Sequence, residues 1–591
     1  NDALSLHFTL ADPKSYGICQ KTWALPVYDK QSRQKSAESM DTFYKQLKRL
    51  HPGRLSQQDL YTYRLLLSYL ETELEGTPYL YYEEPLSPTS GMQSELPLLL
   101  AEYTFRNRED VTAYLSLLES IPSYLEGLAE YETQKASAGL FMPMQDLETV
   151  MDQCSSILDE HSLSQNNHFL QTTFTGRLDR LRQEGQITEE EITGYSQENT
   201  RLLSTVVLPA YQKLADDLAL LSARCTEASG LYDKPDGRSY YSWLVKRTTG
   251  STLDTEAMYR LLQKQFQKDF ATVKSLIEQY RDKTAGTPDP TLLTDKFPLS
   301  DPSEILLDLQ RRMAQDFPSL SALSDEPINC AIKDVDAALE SYTSPAFYMT
   351  PPLDDLTHNT ICINRSSTST GLELYTTLAH EGYPGHLYQT VYSSLYGASH
   401  KESPARKLLS YGGYTEGWAY YTERLSFTYA TLLLSDDAAS LLCQLAAAER
   451  DLQINLFCLL DISLHYYGAS KDDIVRSLES FGIAGETAER IYTYLRTSPT
   501  AYLKYYVGYL EMLALRERAR AQWGDDFTLL RFHRFVLEAG PSDFPNLNRR
   551  LQSGTYSVPD YSSSSIAAKY ALSHNNIRNF PATSTAGCVK Y

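Results

Sequence analysis

The sequence is poor in histidine, in closely paired cysteines and in long apolar runs, and each shortage excludes a class of protein. Only 11 of the 591 residues are histidine, so two histidines close together are unusual in this chain. The eight cysteines contain no C-x-x-C pair, which argues against a zinc ribbon or a thioredoxin-type site, and they are too sparse for a disulfide scaffold. No apolar stretch is long enough for a transmembrane helix.

Basic residues are also in the minority, with 54 Lys and Arg against 75 Asp and Glu and a net charge of −21. A nucleic-acid partner needs a basic surface, so this composition argues against one. The motifs of serine hydrolases (G-x-S-x-G), P-loop proteins (G-x-x-x-x-G-K-S/T) and Rossmann folds (G-x-G-x-x-G) are absent as well. Because the chain begins with Asn1 and not Met, we expect a processed or truncated product.

Apolar residues recur at helical spacing through most of the chain, which predicts a mainly α-helical protein. At 591 residues, the chain should divide into more than one lobe. We predict an N-terminal helical lobe over 1–230, a catalytic helical domain over 231–553, and a tail rich in Ser, Asn and Thr over 554–591. The turn residues Pro235-Asp236-Gly237 support the boundary between the first two. The predicted helices span 37–50, 57–75, 94–132, 143–160, 188–224, 254–282, 303–316, 371–390 (interrupted), 404–430, 436–466, 470–480, 485–497, 501–522 and 526–538.

Two short strands, over 346–349 and 360–364, are predicted just before the helix that begins near 371. The expected fold is therefore two helical lobes around a cleft, with a small β-sheet beside one helix. We expect the strand Thr360–Asn364 to pair with an extended peptide, so that Asn364 contributes to substrate binding.

The helix after these strands contains His380, Glu381 and His386. In H-E-x-x-H peptidases two histidines four residues apart reach one metal, and the Glu takes a proton from water. Here the spacing is six residues, which on a regular helix turns the two rings about 120° apart. Pro384 and Gly385 break or kink a helix, and a bulge there would return His386 to the face of His380. The alternative is a pair of ordinary histidines around a Pro-Gly helix break.

A second helix supplies carboxylates. Glu416 and Glu423 are seven residues apart, so they project from nearly one face. A carboxylate from a neighbouring helix is the usual third ligand of a His-His-Glu zinc site. We predict that Glu416 is this ligand, because the small residues Gly417 and Ala419 permit close helix approach, and that Glu423 holds a ligand imidazole in its tautomer. As an alternative, either Glu is a solvated helix residue.

These segments resemble the bacterial domain-of-unknown-function family 885, whose members contain H-E-G-x-P-G-H followed by E-G-W-A-x-Y-x-E. The matching residues are His380 to His386 and Glu416 to Glu423. Further similarity lies in Asp461 to Gly468 (D-x-G-x-H-x-x-G in the family), Tyr505 to Gly508 (Y-K-I-G), Leu515-Arg516 and the opening Leu6 to Pro13. Because many members look like lipoproteins, the resemblance implies an extracytoplasmic protein with a lipid anchor upstream of this chain.

A more distant similarity is to the carboxypeptidase Taq family, which has H-E-x-G-H followed by two glutamates at the same separation as Glu416 and Glu423. Removing two residues from the insert aligns His380, Glu381, Gly385 and His386 with that motif. This similarity implies a zincin-like, mostly helical metallopeptidase with a deep cleft between two lobes.

The predicted function is a zinc-dependent metallopeptidase that hydrolyses oligopeptides, with His380, His386 and Glu416 as zinc ligands and Glu381 as general base. A neutral donor must stabilise the oxyanion, and both Tyr505 and His465 are candidates. Arg516, and more weakly Arg365, could bind a peptide's carboxylate. Two alternatives stay open: a metal-dependent hydrolase of another amide or ester, and a non-catalytic binding lipoprotein with a degenerate site.

Overall fold

The protein is mainly helical and contains one small sheet. A computed structural model describes residues 2–19, 22–156, 159–227, 230–289, 293, 297–335, 337, 340, 343–367 and 371–554. The predicted tail therefore lies, from 555 onward, outside the described residues. In the first part of the chain the helices are α1 (Ala3–Thr9), α2 (Lys30–Leu47), α3 (Gln57–Glu75), α4 (Met92–Ala101), α5 (Arg108–Ser137), α6 (Met144–Ser156), α7 (Glu160–Ser164), α8 (Phe169–Gln183), α9 (Glu189–Leu202) and α10 (Leu208–Ala219).

The second part of the chain, from Gly237 onward, contains the sheet and twelve of the described α-helices. Its strands are β1 (Asn329–Asp334), β2 (Ala346–Met349) and β3 (His358–Ile363). Its helices are α11 (Gly237–Thr249), α12 (Thr255–Thr284), α13 (Pro302–Met313), α14 (Leu372–Glu381), α15 (His386–Ser399), α16 (Gly412–Thr431), α17 (Asp437–His465), α18 (Lys471–Ser480), α19 (Glu486–Thr497), α20 (Leu503–Trp523), α21 (Leu529–Ala539) and α22 (Phe544–Gln552).

Local sequence explains where many of these helices begin. Asn107, for example, accepts a hydrogen bond from the backbone N–H of Asp110 at the start of α5, and Ser470 and Asp473 form a capping box on α18. By contrast, α14, α15 and α16 have no side-chain cap. The ends of these three helices therefore depend on tertiary contacts.

The predicted helical class is confirmed, but some predicted elements are wrong in detail. The segment 94–132 is two helices, α4 and α5, because the chain leaves helical geometry between Ala101 and Arg108. The helices α1, α7, α8, α11 and α22 and the strand β1 are additional to the prediction, apart from the first residue of α7. The strand was not recognisable because Asn329–Asp334 is mostly exposed and has polar residues at both ends, so it has no buried alternation.

The sheet has the order β1-β3-β2, with β3 parallel to β1 and antiparallel to β2. The prediction that Thr360–Asn364 pairs with a peptide is therefore wrong, because β3 is the central strand and both of its edges are already hydrogen-bonded. The outer strand that lies beside α14 is β2. Any peptide added to this side of the sheet would pair with β2.

Two large apolar cores organise the molecule. One consists of buried residues between Ala3 and Leu218, which falls within the predicted N-terminal lobe. The other consists of residues 280–551 together with Tyr61 and Leu65 of α3. Helix α3 thus contributes to the second core, although it belongs to the first part of the chain.

Helices α16 and α20 cross at contacting glycines. A Cβ atom added to Gly417 would lie 2.6 Å from Cα of Gly508, and a Cβ added to Gly508 would lie 2.8 Å from Cα of Gly417. Only hydrogen fits at either position, so these two backbones approach as closely as helices can. The approach places Glu416, Lys504 and Tyr505, which lie next to the crossing in sequence, near one another.

We expect Gly417→Ala to lower the free energy of unfolding by about 1–3 kcal/mol, because the added methyl group must push two backbones apart. The measurement is urea denaturation followed by circular dichroism. The matched control is Gly194→Ala in α9, where an added Cβ meets nothing within 4 Å; there we expect a gain of about 1 kcal/mol from helix propensity. Equal effects of the two substitutions would contradict the proposed tight crossing.

Candidate metal centre

The turn between α14 and α15 brings two histidines together. Helix α14 ends at Glu381, and α15 begins at His386 with a hydrogen bond from Gln389 N to Gly385 O of 2.9 Å. Gly385 packs directly on the carbonyl oxygens of Ala379 and His380, so no side chain fits there. The ring centroids of His380 and His386 are 4.8 Å apart, with the planes at 82°. The Pro-Gly insert thus redirects His386 toward His380, as the sequence predicted.

Trp418 of α16 holds the turn between α14 and α15 in place. The indole N–H of Trp418 donates to the carbonyl oxygen of Pro384 at 2.9 Å, and Trp418 is fully buried. Phe317 packs against the same indole edge-on, with a centroid distance of 6.0 Å. Because Glu416 lies two residues before Trp418, the contact that fixes the turn also sets the position of this carboxylate.

Glu416 completes a set of three converging ligand atoms. Its Oε2 lies 3.2 Å from Nε2 of His386 and 3.6 Å from Nε2 of His380. This oxygen is buried and has no hydrogen-bond partner. Ligands about 2.0–2.1 Å from a tetrahedral zinc are about 3.4 Å from one another. The donor types, their spacing and the unsatisfied buried oxygen therefore fit a divalent metal ion.

Glu423 orients His380 within this set. Its Oε2 lies 3.0 Å from Nδ1 of His380, and its Oε1 accepts a hydrogen bond of 3.1 Å from Nε of Arg450. A carboxylate at Nδ1 places one ring proton there, which leaves Nε2, the nitrogen that faces Glu416, as the atom that could bind a metal ion. Both Glu423 oxygens are occupied, which makes it an orienting residue and not a ligand.

The histidines and carboxylates of the cluster shift one another's pKa values. Burial lowers the pKa of His380, but the nearby carboxylates of Glu416, Glu423 and Glu381 outweigh it and raise that pKa to about 10. Burial raises the pKa of Glu416, yet the two histidines and Lys504 hold it well below its usual value. The carboxylates thus stay ionised, and a metal ion at this site would replace a proton on His380.

Glu381 contacts both the histidines and the sheet. One of its carboxylate oxygens and one ring nitrogen each of His380 and His386 all lie within 4.8 Å of one another. Its Oε2 accepts a hydrogen bond of 2.8 Å from the backbone N–H of Tyr348 on β2. Either Glu381 or Glu416 could be the carboxylate ligand by distance alone. Glu416 fits better, because its oxygen is unsatisfied while that of Glu381 already accepts a hydrogen bond.

The cluster opens into a cavity of about 870 Å³. Its described lining comes from residues 273–505, and includes His380, Glu381, Glu423, Arg450 and Tyr505. The sequence predicted a cleft between two lobes, whereas every described residue that lines this cavity belongs to the second of them. The ring of Tyr505 lies 5.9 Å from that of His380. Burial, followed by the charge of Glu416, raises the pKa of Tyr505 well above its usual value, so its phenol stays protonated and can donate a hydrogen bond.

Two residues at the centre escaped prediction, Lys504 and Arg450. The Lys504 ammonium donates to Oε1 of Glu416 at 3.0 Å, and Arg450 binds Glu423. Neither residue is part of a sequence pattern that indicates a site. Lys504 could have been suspected only because it adjoins Tyr505.

His465 lies apart from the cluster, contrary to its predicted role at the oxyanion. Its Nδ1 accepts a hydrogen bond of 3.1 Å from Leu231 N, and its Nε2 donates to Leu495 O at 2.9 Å. The ring is fully buried, and burial lowers its pKa to about 4. Neither ring nitrogen is available to a substrate, so His465 ties three segments together as a structural residue.

The predicted substrate-binding residues are also placed elsewhere. Asn364 is fully buried and donates from Nδ2 to the carbonyl oxygens of Glu340 (2.7 Å) and Thr343 (3.2 Å), so it fixes a loop. Arg516 stacks over the ring of Tyr421 at 5.7 Å and is not among the cavity residues. Arg365 is on the surface, paired with Asp334 at 2.7 Å.

The segment Asp461 to Gly468 has a structural role that bears on the site. Asp461 is fully buried and accepts hydrogen bonds from the Tyr241 hydroxyl and, at 2.8 Å, from the backbone N–H of Thr500. Thr500 has a φ of 67°, in the left-handed region that a β-branched residue rarely adopts. This turn precedes α20, so Asp461 helps to position the first residues of that helix, which include Lys504 and Tyr505.

We expect Glu423→Gln to weaken zinc binding by about 10- to 100-fold, because the amide no longer fixes the proton of His380. The measurement is competition for zinc with a coloured chelator. Glu449→Gln is the matched control, since Glu449 lines the same cavity without contacting either histidine, and it should leave the affinity within about twofold. Equal losses of zinc affinity in the two variants would contradict the orienting role of Glu423.

The solved structures with a similar fold include two candidate lipoproteins. A candidate lipoprotein from Colwellia psychrerythraea has a TM-score of 0.78 at 18% identity, over 93% of this chain and 95% of that one. A candidate lipoprotein of unknown function from Shewanella oneidensis has a TM-score of 0.62 at 16% identity, over 89% and 94% of the chains. At these identities the similarity establishes a shared fold alone.

A family model described as a bacterial protein of unknown function (DUF885) matches residues 14–551. No curated protein matches the chain. Within the part of the chain that the structure describes, no helix combines the length and the apolar character needed to cross a membrane.

Proposed function

The chain belongs to the DUF885 family of bacterial proteins of unknown function, as its two motifs indicated, and we propose that it is a zinc-dependent metallopeptidase. One observation carries the proposal: Oε2 of Glu416 is buried without a hydrogen bond and faces two imidazole nitrogens at 3.2 and 3.6 Å. A buried charged oxygen left unsatisfied is costly in a folded protein, and a cation there would remove that cost.

His380, His386 and Glu416 would hold the ion. A zinc ion held by these residues would supply the chemistry of a Lewis acid, which polarises a carbonyl group and activates water near neutral pH. Two histidines and one glutamate are a ligand set that catalytic zinc sites use.

Glu381 is the proposed general base. It takes a proton from water as the water oxygen attacks the peptide carbonyl carbon, and it returns that proton to the amine nitrogen as the C–N bond breaks. Its hydrogen bond from Tyr348 N holds one oxygen in place and leaves the other for water. Tyr505 is the proposed donor to the oxyanion, because its protonated phenol lines the same cavity beside His380.

The substrate strand is proposed to lie along the outer edge of β2, which faces away from β3, beside the Tyr348 N–H that donates to Glu381. Pro345 O accepts from Asn364 N, so alternate residues from Pro345 onward face β3, and Ala346 and Tyr348 face outward. Ala346 lines the cavity. Its outward backbone groups could pair with an extended peptide while the scissile bond lies beside Glu381.

An extracytoplasmic location with a lipid anchor upstream of this chain belongs to the same proposal. It is supported by the two structural relatives, which are candidate lipoproteins.

We expect Glu381→Gln to lower the turnover of an oligopeptide mixture by about 10²- to 10⁴-fold, since the proton acceptor is lost, with zinc content unchanged. Glu373→Gln is the control on the same helix, because Glu373 lines the same cavity but lies about two helical turns before Glu381; its turnover should stay near that of the wild type. Wild-type protein that holds zinc and hydrolyses only esters or other amides would favour the other hydrolase. Zinc without any turnover would favour a binding protein.

For Tyr505→Phe we expect kcat to fall by about 10²- to 10³-fold with little change in KM, because only the transition state uses the hydroxyl. Steady-state kinetics on one peptide substrate measure both constants. Tyr502→Phe serves as control, as Tyr502 lines the same cavity. A fall in KM and kcat together with loss of zinc would instead assign Tyr505 to the support of His380.

A further inference from the structure

The two oxygens of Glu416 have opposite surroundings. Oε2 faces the histidines and has no hydrogen-bond partner. Oε1 accepts a hydrogen bond of 3.0 Å from the ammonium of Lys504. The side chain of Glu416 is 16% exposed and that of Lys504 is 32% exposed. Water therefore screens this ion pair less than it screens a pair on the open surface.

Lys504 is held in place by more than its charge. It lies in the first turn of α20, after the turn that Asp461 fixes through Thr500. Its ammonium lies 5.1 Å from the centre of the Tyr505 ring, and its methylene groups pack where Gly412 of α16 has no side chain. These contacts select one position for a side chain that is usually mobile.

We propose that Lys504 is a positioning residue that keeps Glu416 a one-oxygen ligand. This inference rests on the metal centre of the proposed function, but not on its peptidase activity. A carboxylate can bind a metal through one oxygen or two. An ammonium on Oε1 occupies the second oxygen, so the ion receives Oε2 alone and keeps an open position for water.

The ammonium also carries a positive charge close to the divalent ion. Removing it should strengthen metal binding, because repulsion between the two cations disappears. At a separation of about 5 Å in a water-like dielectric the expected gain is about tenfold. An ordinary structural ion pair predicts the opposite, since its loss would loosen Glu416 and weaken binding.

The test uses the whole chain loaded with Co²⁺, whose visible absorption reports the number of ligands. In Lys504→Met we expect weaker absorption bands, typical of a higher coordination number as Oε1 joins the ion, together with Co²⁺ and Zn²⁺ affinities about tenfold tighter than those of the wild type. Lys504→Arg should keep the wild-type bands, because it restores the cation. Lys471→Met is the matched control, since Lys471 pairs with Glu489 at 2.7 Å on the surface and should change neither quantity.

Unchanged bands in Lys504→Met, or a lower metal affinity in it, would overturn the proposal. Lys504→Ala repeats the measurement in case the Met variant does not fold. Wild-type protein that binds cobalt but hydrolyses no peptide would refute the peptidase function and leave this inference standing. Wild-type protein that binds neither metal would refute both.

Discussion

The site depends on one close contact, the packing of Gly385 on the last carbonyl groups of α14. Without a side chain at this position the chain can end one helix and begin the next within four residues. A regular helix would turn His386 away from His380, so the contact replaces helical periodicity as the source of convergence. Trp418 then ties the turn to α16. Through this bond the position of Glu416 is linked to that of His386.

A second constraint is the close crossing of α16 and α20. Glycines at 413, 417 and 508 let the backbones touch, and this short separation places a lysine and a tyrosine from α20 against a glutamate and a histidine. Close packing of backbones leaves little room for adjustment. The chemistry of the cavity therefore depends on residues that have no side chain, and these glycines matter for the site as much as the ligands do.

The parts of the site that could be predicted from sequence are those encoded by local spacing. His380 and His386 stand around a Pro-Gly break, and Glu416 and Glu423 share a helix face; both are properties of a few consecutive residues. His465, Asn364 and Arg516 could not be judged in this way, because a polar side chain in a helix or strand looks the same whether it meets a backbone carbonyl or a cavity. The central position of β3 in the sheet could not be predicted either, because it requires β1, a mostly exposed strand without a pattern of apolar residues. Lys504 and Arg450 meet their partners only through helix packing.

Glu416 and Glu423 show how the protein would control charge around a bound cation. Each offers one oxygen toward a histidine and the other to a cation, Lys504 for Glu416 and Arg450 for Glu423. With His380 protonated, three carboxylates, counting Glu381, balance three cations, and a divalent ion that replaces the His380 proton would leave one net positive charge. The carboxylates would attract the ion, and the positive charge would favour a developing oxyanion. The lysine and the arginine are therefore part of the electrostatic balance, and a site with the same ligands but without them would hold its ion more tightly and polarise a carbonyl less.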